Sequence, residues 1–175
     1  LSTAEDLFHI TTLGFRGEAL SSIGSVSRMT ITSRTSDQDA ASRLHIQAGS
    51  IGNLEHVGAP TGTVVKVEDL FYNVPARRKF LKQDLTERRH IDTLVTRYAL
   101  AYPAVRFRLH QDGQPVLQTS GNGERREILA ALYGPDIARQ MLDVISEERN
   151  FSIRGYASPT SITRANRREM VFFVN

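Results

Sequence analysis

Thr12-Leu13-Gly14-Phe15-Arg16-Gly17-Glu18-Ala19-Leu20-Ser21-Ser22-Ile23 decides how the rest of the chain is read. Two glycines bracket a Phe-Arg pair, and apolar residues follow at Ala19, Leu20, Ile23 and Val26, the spacing of one helix face. The segment predicts a glycine-hinged loop running into a helix. The first turn of a helix leaves backbone N–H groups without partners, and its dipole favours negative charge. Glycines let the backbone approach a ligand, so such a loop can hold phosphate. Arg16 would add a forked, permanently charged donor at the same place. Glu18 suits the first turn as an acid facing the dipole. On these residues alone, a plain loop-to-helix junction with a solvated Arg16 is the simpler alternative.

Outward from this stretch, periodicity switches from helix to strand. Residues 4–10 predict a short helical turn or lid segment. Residues 28–34 and 43–48 alternate, with Met29, Ile31, Leu44 and Ile46 facing inward. Leu54 to Val57 adds a third strand, and the breaker cluster Gly58-Ala59-Pro60-Thr61-Gly62 precedes Thr63–Val67, apolar enough for a central strand. Together these predict a mostly antiparallel sheet with the first helix packed across one face. The block Leu70-Phe71-Tyr72-Asn73-Val74-Pro75-Ala76-Arg77-Arg78-Lys79-Phe80-Leu81-Lys82 reads as a loop. Phe71, Phe80 and Leu81 are expected to anchor it and leave four cations outside.

Asp84-Leu85-Thr86-Glu87 resembles a capping box, and the helix after it carries Ile91, Leu94, Val95, Tyr98 and Ala99 on one stripe. Tyr102-Pro103 ends it, which places a domain boundary between 1–102 and 103–175. Beyond it come a hairpin turned at Asp112-Gly113 and a helix over about 124–133 capped by Gly134. A short helix after Pro135, a strand over 151–157 and an apolar run at Met170 to Val174, read as a central strand, complete the chain. The class is α+β.

Composition bounds the chemistry. There are 175 residues, 40% of them hydrophobic, with no run of about 18 apolar residues to span a membrane. No secretory signal is visible at Leu1 to Asp6. The chain lacks an initiator Met and breaks off after an apolar run, which suggests a piece of a longer protein. With no cysteine there is no disulfide, thiolate zinc site or cysteine nucleophile, and the five histidines show no ligand spacing. The net charge of +3 says little, but its clustering at 77–82, 88–89, 125–126 and 164–168 is the footprint expected for phosphate contacts.

The ordered blocks Gly14-Phe15-Arg16-Gly17-Glu18-Ala19-Leu20, Gly62-Thr63 and Leu70 to Leu81 resemble the MutL family of DNA mismatch repair proteins, in its N-terminal ATPase region. Phe173-Val174-Asn175 resembles the start of that family's Val-Asn-Gly-Arg motif. The resemblance covers the whole chain. It implies part of a GHKL (Bergerat) helix-on-sheet sandwich over 1–102, then part of a ribosomal protein S5 domain 2-like domain over 103–175. It implies ATP binding through Gly14, Phe15, Arg16, Gly17, Glu18, Ala19 and Leu20, with Thr63 in the adenine pocket. Arg77, Arg78, Lys79 and Lys82 are the implied DNA contacts, independent of base sequence and sensitive to salt. Mg²⁺ would accompany ATP, but the family's catalytic Glu, its metal-binding Asn and its Asp-x-Gly-x-Gly motif have no counterpart here. Asp112-Gly113 lacks the second glycine. The whole protein is expected to be a bacterial, cytoplasmic ATPase that dimerises when ATP binds and couples a MutS-type mismatch sensor to downstream repair. The alternatives are another GHKL enzyme, such as a type II topoisomerase subunit, or a basic DNA-binding module without nucleotide chemistry.

Overall fold

The computed structural model describes residues 17–163, 165 and 167–174. The chain divides into two compact units, Leu1–Leu81 and Lys82–Asn175. The segment expected over 4–10 lies outside the described residues.

The first unit contains α1 (Ala19–Gly24), β1 (Arg28–Arg34), β2 (Ala41–Gln47), β3 (Ser50–Ile51), β4 (Glu55–Val57), β5 (Gly62–Glu68) and α2 (Pro75–Arg78). The strands form one antiparallel sheet in the order β3-β2-β1-β5, with β4 also on β2. Register carries out the alternation in the sequence. Met29 lies opposite Ile46 and Val67, and Ile31 opposite Leu44 and Val65, so these six side chains share a face. Met29 is only 1% exposed, and Val26 is buried as well. The β2–β3 turn uses Ala48 and Gly49, both at positive φ, as a two-residue hairpin of that twist requires.

Helix α1 meets the sheet at its last residue. A Cβ on Gly24 would lie 3.0 Å from both Ile46 Cγ2 and Met29 Cε, so glycine permits the approach. Leu20 and Ile23, expected to face inward, are exposed. The predicted central strand Thr63–Val67 is corrected as well. It is an edge strand, bonded to β1 alone among the described residues, with Val64 62% exposed. Apolar composition fits a strand with two neighbours, but composition does not supply the second neighbour.

The second unit holds α3 (Asp84–Ala101), β6 (Arg108–Gln111), β7 (Gln114–Gln118), α4 (Arg125–Tyr133), α5 (Pro135–Gln140), β8 (Leu142–Glu147) and β9 (Ser152–Ala157). A 3-10 turn follows at Arg167–Glu169. Ala99, Leu117 and Ile128 form its core, ringed by Val95, Leu100, Phe107, Leu109 and Leu132. Helix α3 thus packs within the second compact unit, which begins at Lys82. Its predicted stripe splits. Val95 and Ala99 reach the core, whereas Ile91, Leu94 and Tyr98 stay exposed and Tyr98 stacks on Tyr102 at 6.2 Å.

Three more expectations shift. The N-cap of α3 is Gln83 rather than Asp84, and Glu87 reaches back to accept a hydrogen bond from the Lys82 N–H at 2.8 Å. This bond spans five residues and ties the chain just before the N-cap, so it is not the N3-to-N-cap bond of the expected capping box. Strand β8, unforeseen, pairs along its length with β9. Residues 170–174 have no regular secondary structure, and Phe172 and Val174 lie in solvent. A strand needs a ladder partner, and none of the described residues pairs with them. The Asp112-Gly113 hairpin is as predicted, with both residues at positive φ.

Candidate phosphate loop and basic loop

Of the residues expected at the nucleotide, Gly14, Phe15 and Arg16 lie outside the described residues. Gly17 adopts φ +66°, and a Cβ there would meet open space, so its role is conformational rather than steric. Glu18 is the N-cap of α1 rather than a first-turn acid. Its carbonyl accepts bonds from the Ser22 N–H and the Ser21 hydroxyl, at 2.9 Å each. Gly17, Glu18, Ala19 and Leu20 are all exposed.

Thr63 lies on the edge strand opposite Ser33, and the two hydroxyls are 2.7 Å apart. No hydrogen bond joins it to residues 17–20 among the described residues. Nor do the described residues include a group of three or more His, Cys, Asp or Glu side chains able to hold a metal.

The basic loop is built differently. Strand β5 ends at Glu68, and the chain then turns through Asp69 and Phe71, both at positive φ. Side chains other than glycine rarely adopt that region, so neighbours must hold them there. They do so at a seam with the α1–β1 junction. The Phe71 N–H donates to Val26 O at 2.7 Å, and Asn73 Nδ2 donates to Ser25 O at 3.0 Å. Arg28 pairs with Asp69 at 3.4 Å and lies over the Tyr72 ring at 5.0 Å. Sequence reasoning missed Ser25, Arg28, Asp69 and Asn73. The Tyr-Asn pair in the loop was the available signal, since an asparagine amide readily satisfies a stray carbonyl.

From this seam Pro75 starts α2, where a residue without an N–H is tolerated in the first turn. Arg77, Arg78, Lys79 and Lys82 follow, all exposed. None of the four side chains has a hydrogen-bond or ion-pair partner among the described residues. Of the three expected anchors, only Phe71 is partly covered; Phe80 is 80% exposed and Leu81 is also exposed.

The other charge clusters have different fates. Arg126 is internal wiring: Nη1 donates to the carbonyls of Ala138 (2.7 Å) and Met141 (2.9 Å), and Nη2 donates to Asp143 (2.8 Å). Its guanidinium also lies 4.9 Å from the centre of the Tyr156 ring. Arg125 donates to Leu100 O at 3.3 Å, and Arg88 pairs with Asp112 of the hairpin. In the β1–β2 turn, the Thr35 hydroxyl and then the backbone hold the Asp37 carboxyl below its ordinary range. That residue belongs to neither candidate set.

An antiparallel sheet with a glycine-led helix, continued by a second small α+β unit, is the α+β architecture of a GHKL-type ATPase region. The chain superposes on the Aquifex aeolicus MutL ATPase domain complexed with ADP with a TM-score of 0.73 and 33% identity, over 89% of this chain and 60% of that one. Another structure of the Aquifex aeolicus MutL ATPase domain gives 0.67 and 31% identity, over 83% of this chain and 57% of that one. In sequence it is 43% identical over all 175 residues to the DNA mismatch repair protein MutL of Streptococcus equi subsp. equi, and 44% identical to that of Streptococcus pyogenes serotype M1. A family profile described as DNA mismatch repair protein, C-terminal domain, matches residues 129–175.

The chain belongs to the MutL family of DNA mismatch repair proteins. It spans about a quarter (26%) of the length of the curated relatives it matches. Among the described residues no helix is long and apolar enough to cross a membrane.

Proposed function

We propose that this chain is the phosphate-loop and basic-loop portion of an ATP-driven mismatch repair switch. The observation that carries the reading is its likeness to a MutL ATPase domain complexed with ADP. In the whole protein, residues 14–20 close over the triphosphate, Arg16 adds charge, and Thr63 lines the adenine side. ATP with Mg²⁺ then drives dimerisation in the cytoplasm, and hydrolysis couples a MutS-type sensor to downstream repair on DNA. The metal ligands and the general base come from outside this chain. We also place the functional domain boundary after Tyr102: α3, though packed on the second unit, belongs by this reading to the nucleotide domain.

The expected result is no saturable ATP turnover by the purified 175-residue chain. In the longest reading frame that contains it, Gly17→Val should lower turnover at least about 10-fold, because a branched side chain at positive φ deforms the loop. Turnover by the short chain, or unchanged turnover in the long Gly17→Val protein, overturns the reading. A second reading, a basic DNA-binding module without nucleotide chemistry, is favoured by one observation: the side chains of the exposed cations at 77–82 have no partners among the described residues. In the whole protein the two readings coexist, with Arg77, Arg78, Lys79 and Lys82 holding phosphates of any sequence.

A further inference from the structure

The C-terminal end of α1 is satisfied bond by bond. Ser25, which closes the helix, donates its N–H to Ser21 O at 3.0 Å and its hydroxyl to Ser22 O at 2.8 Å. Ile23 O accepts from the buried Ser27 hydroxyl at 2.7 Å. The carbonyls that follow find donors far from the helix. Gly24 O and Ser27 O accept from the N–H groups of Gly49 (3.0 Å) and Ala48 (3.2 Å) in the β2–β3 turn, and Val26 O from that of Phe71 at 2.7 Å. Ser25 O, in the middle of this run, accepts from a side chain instead: Asn73 Nδ2 at 3.0 Å, 48 positions along the chain. Asn73 is exposed, so the contact buries little. At the other end of α1, residues 17–20 are exposed and Gly17 sits at φ +66°.

We propose that Asn73 is a positioning residue for the phosphate loop: by holding Ser25 O it sets the direction in which α1 presents residues 17–20. This role rests on the reading of residues 14–20 as that loop. The helix meets the sheet at Gly24, so its aim is decided at its C-terminal end. A six-residue helix is about 9 Å long, so a tilt of about 6° at the held end carries the other end about 1 Å. Misplacement of about 1 Å is enough to lose a well-aligned contact. The donors at Ala48, Gly49 and Phe71 are backbone groups and pin the point of attachment. Asn73 is the donor that a side chain supplies, and it crosses to the carbonyl a helix end cannot satisfy itself. Water could replace its hydrogen bond, but water is not fixed to the loop after β5 and would leave the direction of α1 unset.

The test uses the longest reading frame that contains this chain and compares its affinity for a non-hydrolysable ATP analogue with that for adenosine, which has no phosphates. Asn73→Asp keeps the size of the side chain and removes the donor, since a carboxylate only accepts. It should weaken the analogue about 10-fold and leave adenosine unchanged, the loss expected for one hydrogen bond. It should also raise KM for ATP more than it lowers kcat. Asn73→Ala, with neither donor nor charge, should match it, and Asn73→Gln, which keeps the amide, should recover most of the analogue's affinity. Equal weakening of analogue and adenosine would mean that Asn73 only supports the fold, and overturns positioning. If Gly17→Val weakens the analogue and neither Asn73→Asp nor Asn73→Ala does, positioning is wrong and the phosphate loop stands. If Gly17→Val leaves the analogue's affinity unchanged, the phosphate-loop reading falls and takes the proposal with it.

Discussion

Arg77-Arg78 and Arg125-Arg126 look alike in the sequence, as adjacent guanidinium pairs beside apolar residues, yet they are used in opposite ways. The second pair is folded into the protein. Arg126 joins α4 to the end of α5, to β8 and to β9 through two carbonyls, a carboxylate and an aromatic ring. The first pair has no side-chain partner among the described residues. A charge cluster therefore says nothing about a ligand until its internal acceptors are counted. What separates the two is the supply of acceptors. The C-terminal end of α5 leaves carbonyls that a helix cannot satisfy itself, and Arg126 takes them. Helix α2 is too short and too exposed to offer any.

Three substitutions probe this contrast. The largest effect should come from Arg126→Ala. It strands two carbonyls and removes an ion pair and a cation–π contact, costing about 3 kcal/mol. Calorimetry should show the second unit melting earlier, with DNA binding per folded molecule unchanged; a loss of binding there would erase the distinction between the two pairs. Next is Asn73→Ala, which removes the bond to Ser25 O and should destabilise the first unit by about 1 kcal/mol. It should also weaken DNA binding modestly by letting the loop wander. The smallest effect on stability should be that of Arg77→Ala with Arg78→Ala, within about 0.5 kcal/mol, while DNA binding falls. A clear drop in melting temperature for that variant would mean the pair has internal partners after all.

Much of the fold is legible in the sequence because its signals are local. Period-two alternation gives Met29, Ile31, Leu44 and Ile46 their face, and Asp112-Gly113 announces its hairpin. The misses are non-local. Whether Val64 is central or at an edge depends on a neighbouring strand, not on valine. Residues 170–174 have a strand's composition without a partner to pair with. The α3 stripe is wider than the core that receives it, so Val95 and Ala99 are covered and Leu94 is not. At the candidate site, the cations of 77–82 and the glycine-led helix are readable from spacing alone. The seam of Ser25, Arg28, Asp69 and Asn73 is not, because it brings together residues more than forty positions apart in sequence.

The Phe71 amide has a consequence for observing the molecule. It is bonded at 2.7 Å to Val26 O, and its residue sits at φ +64°, a conformation a free chain would leave. The basic loop cannot lift from the sheet without releasing this one proton to solvent. Its hydrogen-exchange rate thus reports the opening of the loop directly. A single backbone resonance can follow how bound DNA, or a change at α1, alters the lifetime of the docked state.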